Sequence, residues 1–207
     1  MSLRVLFIRS CGPDGGSRSG FKWPLVVGAE VVAPDWNPAP VCGGGLHGLP
    51  WGRGNWDLTS EDVVARWLVF SADPADVVNI DNQKSKVRAA RVEYVAPSSG
   101  SAGRGEAASW LAAQPGATQP VPYATASAGY RGTASAGYYG TASAGDYGTA
   151  SAGDCGTASA GVYGELRIRW WDGKRYRCAV FYVGEDGIEA NTPYRCDENG
   201  KAVKVVK

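Results

Sequence analysis

The sequence predicts an α+β fold that is mainly β. Three observations carry that expectation. Five tandem copies of one eight-residue unit run from Thr125 to Gly164. The tail alternates apolar runs with Asp-Gly and Asn-Gly turns, and the N-terminal half holds short β-branched runs with a single Ala-rich segment. They divide the 207 residues into an N-terminal α+β domain (1–118), a short octapeptide-repeat β-solenoid (119–164) and a C-terminal antiparallel β-hairpin cap (165–207).

In the first section, Leu3–Arg9 is apolar and β-branched, and Cys11-Gly-Pro-Asp-Gly-Gly ends it with turn chemistry, so it predicts a strand and a loop. Phe21–Trp23 and Leu25–Val32 predict two further extended pieces. Pro34 to Gly54, rich in Pro and Gly, predicts a long loop, the kind of segment that often carries function. Thr59-Ser60-Glu61-Asp62 has the hydroxyl cap and early acids of a helix start, and predicts a helix of about two turns. Arg66–Ser71, Asp76–Ile80 and Val87–Val95 predict strands, and Gly105–Gln114, stopped by Pro115, predicts a helix.

The octads are TASAGYRG, TASAGYYG, TASAGDYG, TASAGDCG and TASAGVYG. Self-similarity at a short fixed period signals stacking of each unit on the next. Thr-Ala-Ser-Ala alternates, so the alanines point inward while Thr125, Ser127, Thr133, Ser135, Thr141, Ser143, Thr149, Ser151, Thr157 and Ser159 point outward as candidate binding residues. The two glycines per unit are expected to form turns at positive φ. With two octads per coil, Tyr147 and Tyr163 share one edge and Tyr139 shares the other with Cys155. These tyrosines are candidate binding residues too. At about 4.8 Å per coil the stack is only about 12 Å tall, and a core of alanine methyls needs capping at both ends. The helix with Trp110 and the C-terminal strands are the expected caps. A flexible low-complexity linker is the alternative reading of this composition; the strict period, inward alanines and position-specific tyrosines argue against it. In the tail, Glu165–Trp171, Tyr176–Val183 and Ala202–Val206 predict strands, joined by Asp172-Gly173, Glu185-Asp186-Gly187 and Glu198-Asn199-Gly200.

Composition narrows the function. Net charge is +1, from 21 basic and 20 acidic residues, so generic nucleic-acid binding has no electrostatic support. Arg167, Arg169, Lys174, Arg175 and Arg177 read as a solvated strand face. Five cysteines without a C-x-x-C pair suit reduced thiols and a cytoplasmic location. The N-terminus lacks the features of a signal peptide, and no apolar stretch is long enough to span a membrane. Eight Trp and ten Tyr against four Phe suit half-buried surfaces and interfaces.

Motifs for chemistry are few. Gly43 to Gly48 matches G-x-G-x-x-G, but Leu49-Pro50-Trp51-Gly52 cannot open the helix that would hold a pyrophosphate. Cys42 and His47 are the weak catalytic candidates: a thiol and an imidazole five residues apart, with Asp35 or Asp57 near enough in sequence to orient the ring. A structural His47, donating to a backbone carbonyl, is the plainer reading. One histidine without Cys pairs leaves no zinc site, and Asp73, Asp76 and Asp81 lack calcium-loop spacing. No cofactor or metal is expected.

The units Ala-Gly-Tyr-Tyr-Gly-Thr-Ala-Ser and Ala-Gly-Asp-Tyr-Gly-Thr-Ala-Ser resemble the octapeptides of bacterial ice nucleation proteins, where A-G-Y-G-S-T-x-T recurs. They depart from it in the Ser at the second hydroxyl and in a tyrosine offset by one place. The resemblance implies a solenoid; ice nucleation in that family rests on far longer arrays. The flanks resemble an uncharacterised group of phage and bacterial proteins, through Cys42-Gly-Gly-Gly-Leu46-His47-Gly48, Val183-Gly-Glu-Asp-Gly-Ile188 and Asn191-Thr-Pro-Tyr194-Arg195. That resemblance implies a bacterial or phage-encoded protein and brings no activity.

Together these features predict a non-catalytic binding or structural protein, whose rigid ladder serves self-association or an unknown protein partner, without nucleic acid or membrane. A small enzyme or ligand-binding protein using the Cys42–His47 loop, and an ice-binding protein, are the alternatives.

Overall fold

The two halves of the chain solve burial differently. The computed structural model describes residues 4–205, and the chain divides into two compact units, 1–117 and 118–207. Leu3 and Val206, the outer ends of the predicted first and last strands, lie outside the described residues.

The first unit is built on strands β1 (Val5–Cys11), β2 (Glu30–Val32), β3 (Leu46–Pro50), β4 (Arg66–Ala72), β5 (Val78–Ile80), β6 (Lys84–Val87) and β7 (Ala89–Ser99), followed by the helix α1 (Gly100–Ala112). They form one seven-stranded sheet in the order β2-β7-β4-β1-β3-β6-β5, with every pairing antiparallel. β4 is buried along nearly its whole length, so its apolar residues run without alternation, as they must when both faces are covered. One face holds Phe7 stacked on Phe70 at 4.9 Å, with Trp23 tilted against Phe70 at 4.8 Å. α1 packs on β7, β4 and β1, and its Trp110 stacks on Tyr94 at 5.2 Å.

Three expectations for this unit fail for identifiable reasons. Thr59–Asp62 is not a helix: Trp56–Leu58 makes a 3-10 turn, and Thr59 ends it, its Oγ1 donating to the Trp56 carbonyl at 2.6 Å. Ser60 Oγ and Asp62 Oδ1 then accept from the amides two residues on, at 3.2 and 3.1 Å. Short polar side chains take local backbone bonds in preference to a helix too short to stand alone. The Pro34–Gly54 loop contains β3, which Gly48 and Pro50 conceal. A Cβ on Gly48 would stand 2.8 Å from the Phe70 ring, so close packing selects glycine inside the strand. Finally, α1 starts at Gly100, five residues before its predicted start; packing overrides the poor propensity of three glycines. Glu106 secures that end by accepting from the Ser98 amide and hydroxyl at 2.9 and 2.6 Å.

The second unit holds the octads. Each Thr-Ala-Ser-Ala is a strand: β8 (Thr125–Ala128), β9 (Thr133–Ala136), β10 (Thr141–Ala144), β11 (Thr149–Ala152) and β12 (Thr157–Ala160). The tail adds β13 (Glu165–Trp171), β14 (Tyr176–Tyr182), β15 (Tyr194–Cys196) and β16 (Ala202–Lys204). Alternate octads pair in parallel and in register, β8-β10-β12 in one sheet and β9-β11 in the other. β13 continues the second sheet in parallel, with Leu166 and Ile168 in the alanine places. β14 then closes that sheet antiparallel, and β15 and β16 close the first. Among the described residues the fold is therefore mainly β with one α-helix, and the sheets of the second unit are of mixed topology.

The alanines form a shared core with Leu166, Ile168, Val183, Ile188 and Tyr194, so the octads and the tail strands make one body. Within the first unit, α1 buries Ala107, Ala108 and Leu111 and packs on the sheet. The octad glycines are corrected as well. None takes positive φ; the seventh residue of each unit does, from Arg131 (φ 54°) through Tyr139, Tyr147 and Cys155 to Tyr163 (φ 56°). A left-handed non-glycine residue costs about 1–2 kcal/mol. Here it turns the amide onto a carbonyl one level away: Tyr147 N donates to Val162 O at 2.9 Å and Tyr139 N to Asp154 O at 3.1 Å. In the later octads glycine is needed for a different reason: a Cβ on Gly145, Gly153 or Gly161 would lie less than 3.0 Å from atoms two octads earlier. No helix among the described residues is long and apolar enough to cross a membrane.

Candidate functional site

The in-register pairing lines up identical side chains. On β8-β10-β12, Thr125, Thr141 and Thr157 form one row and Ser127, Ser143 and Ser159 another. The Ser143 and Ser159 hydroxyls bond each other at 2.8 Å. On the other sheet the rows Thr133–Thr149 and Ser135–Ser151 run into Glu165 and Arg167 of β13, which pair as ions. Hydroxyls of the first two octads are exposed, and those of the last two are half-buried.

The turns carry the aromatic rows. Tyr147 and Tyr163 stand 5.2 Å apart, with Tyr130 against Tyr147 at 5.8 Å. Arg131 occupies the foot of this column, its guanidinium 5.3 Å from the Tyr130 ring. At the other turns Tyr139 stacks on Tyr123 at 5.5 Å and hydrogen-bonds the Cys155 thiol, which raises the Tyr139 hydroxyl above its ordinary range. Cys155 thus continues the Tyr123–Tyr139 column. Tyr130, Tyr147 and Tyr163 are 64%, 51% and 69% exposed.

The first unit holds a separate cleft of about 940 Å³, lined among others by Arg9, Trp23, Cys42, His47 and Lys84. The structure gives the Cys42 thiol a different partner from the one expected. Lys84 Nζ lies 3.1 Å from its sulfur, and that contact holds the thiol below its ordinary range. Lys86, fully buried, donates to the carbonyls of Val41 and Gly43 at 2.9 and 2.8 Å, and so pins the loop that carries Cys42. His47 sits on β3 opposite Lys86. Burial, then Lys84, Arg9 and Lys86, push its imidazole down to about 4, and its ring bonds the Gly45 backbone in place of either aspartate. Its Nε2 has no hydrogen-bond partner. A neutral, weakly basic His47 is poorly suited to activate Cys42. Sequence reasoning missed Lys84 and Lys86, although alternate positions on one short strand point to the same face.

Over 78 residues the chain is 32% identical to the ice nucleation protein InaU of Pantoea ananas, covering 38% of this chain and 7% of that protein. Over 92 residues it is 38% identical to an ice nucleation protein of Pseudomonas syringae, covering 44% and 8%. Over 94 residues it is 29% identical to one of Pseudomonas fluorescens, covering 45% and 8%. The octads are similar to ice-nucleation repeats, and the chain spans less than a tenth of the length of these relatives. No protein-family profile matches the chain, and no solved structure matches it.

Proposed function

We propose that the octads form a β-solenoid with two octads per coil, and that the protein is a non-catalytic binding or structural protein. In this reading the ladder serves self-association or the docking of a protein partner. The observation that carries it is the in-register parallel pairing of residues 16 apart, such as Ser143 and Ser159, which builds repeated rows on a rigid frame. Exposed aromatics aligned along one edge are what protein interfaces favour. All five cysteines are unpaired, which suits a reducing compartment such as the cytoplasm. Sedimentation of the full chain over a wide concentration series tests self-association. Growth in mass with concentration, reversed by Tyr147→Ala with Tyr163→Ala, is expected; a strict monomer removes self-association from the proposal.

A second reading has its own observation. The six hydroxyls on β8-β10-β12 form a regular flat array, and the octads are similar to those of ice nucleation proteins. Ice binding predicts thermal hysteresis or inhibition of ice recrystallisation, and absence of both at high protein concentration ends that reading.

A further inference from the structure

We infer that the cleft of the first unit is a binding site for a small oxyanion, phosphate or carboxylate, carried on an apolar body. This goes beyond the octad ladder and uses none of its residues.

The charge balance of the cleft carries the inference. Its lining includes Arg9, Arg18, Lys22 and Lys84 against one carboxylate, Asp35. Lys22 is neutralised outside the cleft lining by Asp14. Among the described residues, Arg9, Arg18 and Lys84 form no ion pair. Arg9 is the telling case. Its guanidinium donates to the His47 carbonyl at 3.1 Å and to the Ser10 carbonyl at 3.4 Å, and lies 4.6 Å over the Trp23 ring. Burial lowers it to about 10, so it remains charged at neutral pH. A guanidinium has five N–H donors, and two uncharged carbonyls leave both its charge and its remaining donors unmatched. Arg9 is half-buried on the cleft wall, and an anion there supplies the counter-charge and the charge-assisted acceptors that the two carbonyls lack.

One more donor is unmatched near it: Trp23 is 2% exposed, and among the described residues its Nε1 has no hydrogen-bond partner. Lys84 stands on another strand, its Nζ 3.1 Å from the Cys42 thiol. The apolar part of the ligand follows from Phe21 and Trp23, set edge-to-face at 5.9 Å in the same lining. A volume of about 940 Å³ matches a small-molecule pocket of about 300–1,000 Å³ and exceeds the needs of a bare ion.

Cys42 on this lining is a built-in reporter. The experiment follows its alkylation by iodoacetamide in the full chain, by peptide mass spectrometry, with Cys155 and Cys178 as internal controls because both are exposed. Inorganic phosphate, phenyl phosphate and benzoate are the probes, each matched in ionic strength with sodium chloride. At ten times the dissociation constant, alkylation of Cys42 is expected to slow by about tenfold while the controls are unchanged, with phenyl phosphate acting at lower concentration than phosphate. Protection by benzoate without protection by either phosphate assigns a carboxylate. Arg9→Gln is expected to abolish protection. Lys84→Gln, at a half-buried strand position, serves where Arg9→Gln does not fold, and is expected to weaken it. If no probe slows Cys42 beyond the salt control, or if the variants are protected as well as the parent, the inference is overturned.

Discussion

Replacing Gly153 by alanine puts a Cβ 2.5 Å from the Gly137 carbonyl carbon and 2.7 Å from the Tyr138 nitrogen. Both are backbone atoms of the level beneath, held by ladder bonds such as Gly153 N to Ala136 O at 3.0 Å, so neither can turn aside. Gly129 occupies the same fifth position of the first octad, and a Cβ there meets nothing within 4 Å. Gly137 lies between these extremes, its nearest atoms at 3.0 Å in Val121 and Pro122. Forcing a methyl group into a packed site costs about 1–3 kcal/mol. Replacing a glycine whose φ suits alanine stabilises by about 0.4–1 kcal/mol through the unfolded chain. Gly153→Ala is therefore expected to destabilise the second unit by about 2 kcal/mol, roughly 8–16 °C in Tm for a unit of this size. Gly129→Ala is expected to leave Tm unchanged or to raise it slightly, with Gly137→Ala between the two. Scanning calorimetry of the full chain reads all three. Equal shifts at Gly129 and Gly153, or no shift at either, would refute level-on-level stacking, because only stacking distinguishes positions that are identical in sequence.

Two further outcomes follow from burial and charge. Leu166 is fully buried among alanines too short to fill its place, so Leu166→Ala is expected to destabilise the second unit by about 2–5 kcal/mol in urea denaturation. His47 is held at about 4 against an ordinary 6.5, so the unfolded chain takes up its proton first as pH falls. Stability is then complete above pH 6.5 and declines towards pH 4, by less than the ~3 kcal/mol of a fully buried group because solvent screens the half-buried ring; urea titrations at both ends check this, and His47→Gln is expected to flatten the slope.

How much of this was legible in the sequence differs by element. The octad strands and the Asp172-Gly173 hairpin were legible because a strict period and a turn dipeptide act over neighbouring residues. β4 was legible from its apolar run alone. β3 was not, since the reason for Gly48 is the Phe70 ring, remote in sequence. The octad glycines were placed correctly and explained wrongly: positive φ and lack of space both select glycine, and only the level below shows which one acts. The same holds for Cys42, whose nearest sequence partner, His47, is displaced by Lys84 from across the sheet. The exposed outer faces of the first octads were read correctly from two-residue alternation.

The size of the hydroxyl array decides what it can do alone. Three strands about 4.8 Å apart, with outward residues two positions apart on each, span about 10 Å by 7 Å. A stable protein interface takes about 800 Å² from each partner, so six hydroxyls cannot hold a protein by themselves, and exchanging water for a partner gains each of them little. The aromatic edge is better suited, since these tyrosines are large amphipathic rings still half or more exposed, and Tyr130, Tyr147 and Tyr163 stand in one exposed group with Arg131 beside them. Tyr147→Ala with Tyr163→Ala is therefore expected to weaken association by more than about thirtyfold, the effect of losing about 2 kcal/mol at an interface centre. Thr141→Val with Ser143→Ala is expected to change it by less than about threefold. Sedimentation of the two double variants beside the parent reads the difference. The opposite ranking would move the contact onto the flat hydroxyl face, where the ice-binding reading places it, and would exclude the tyrosine edge as the site of association.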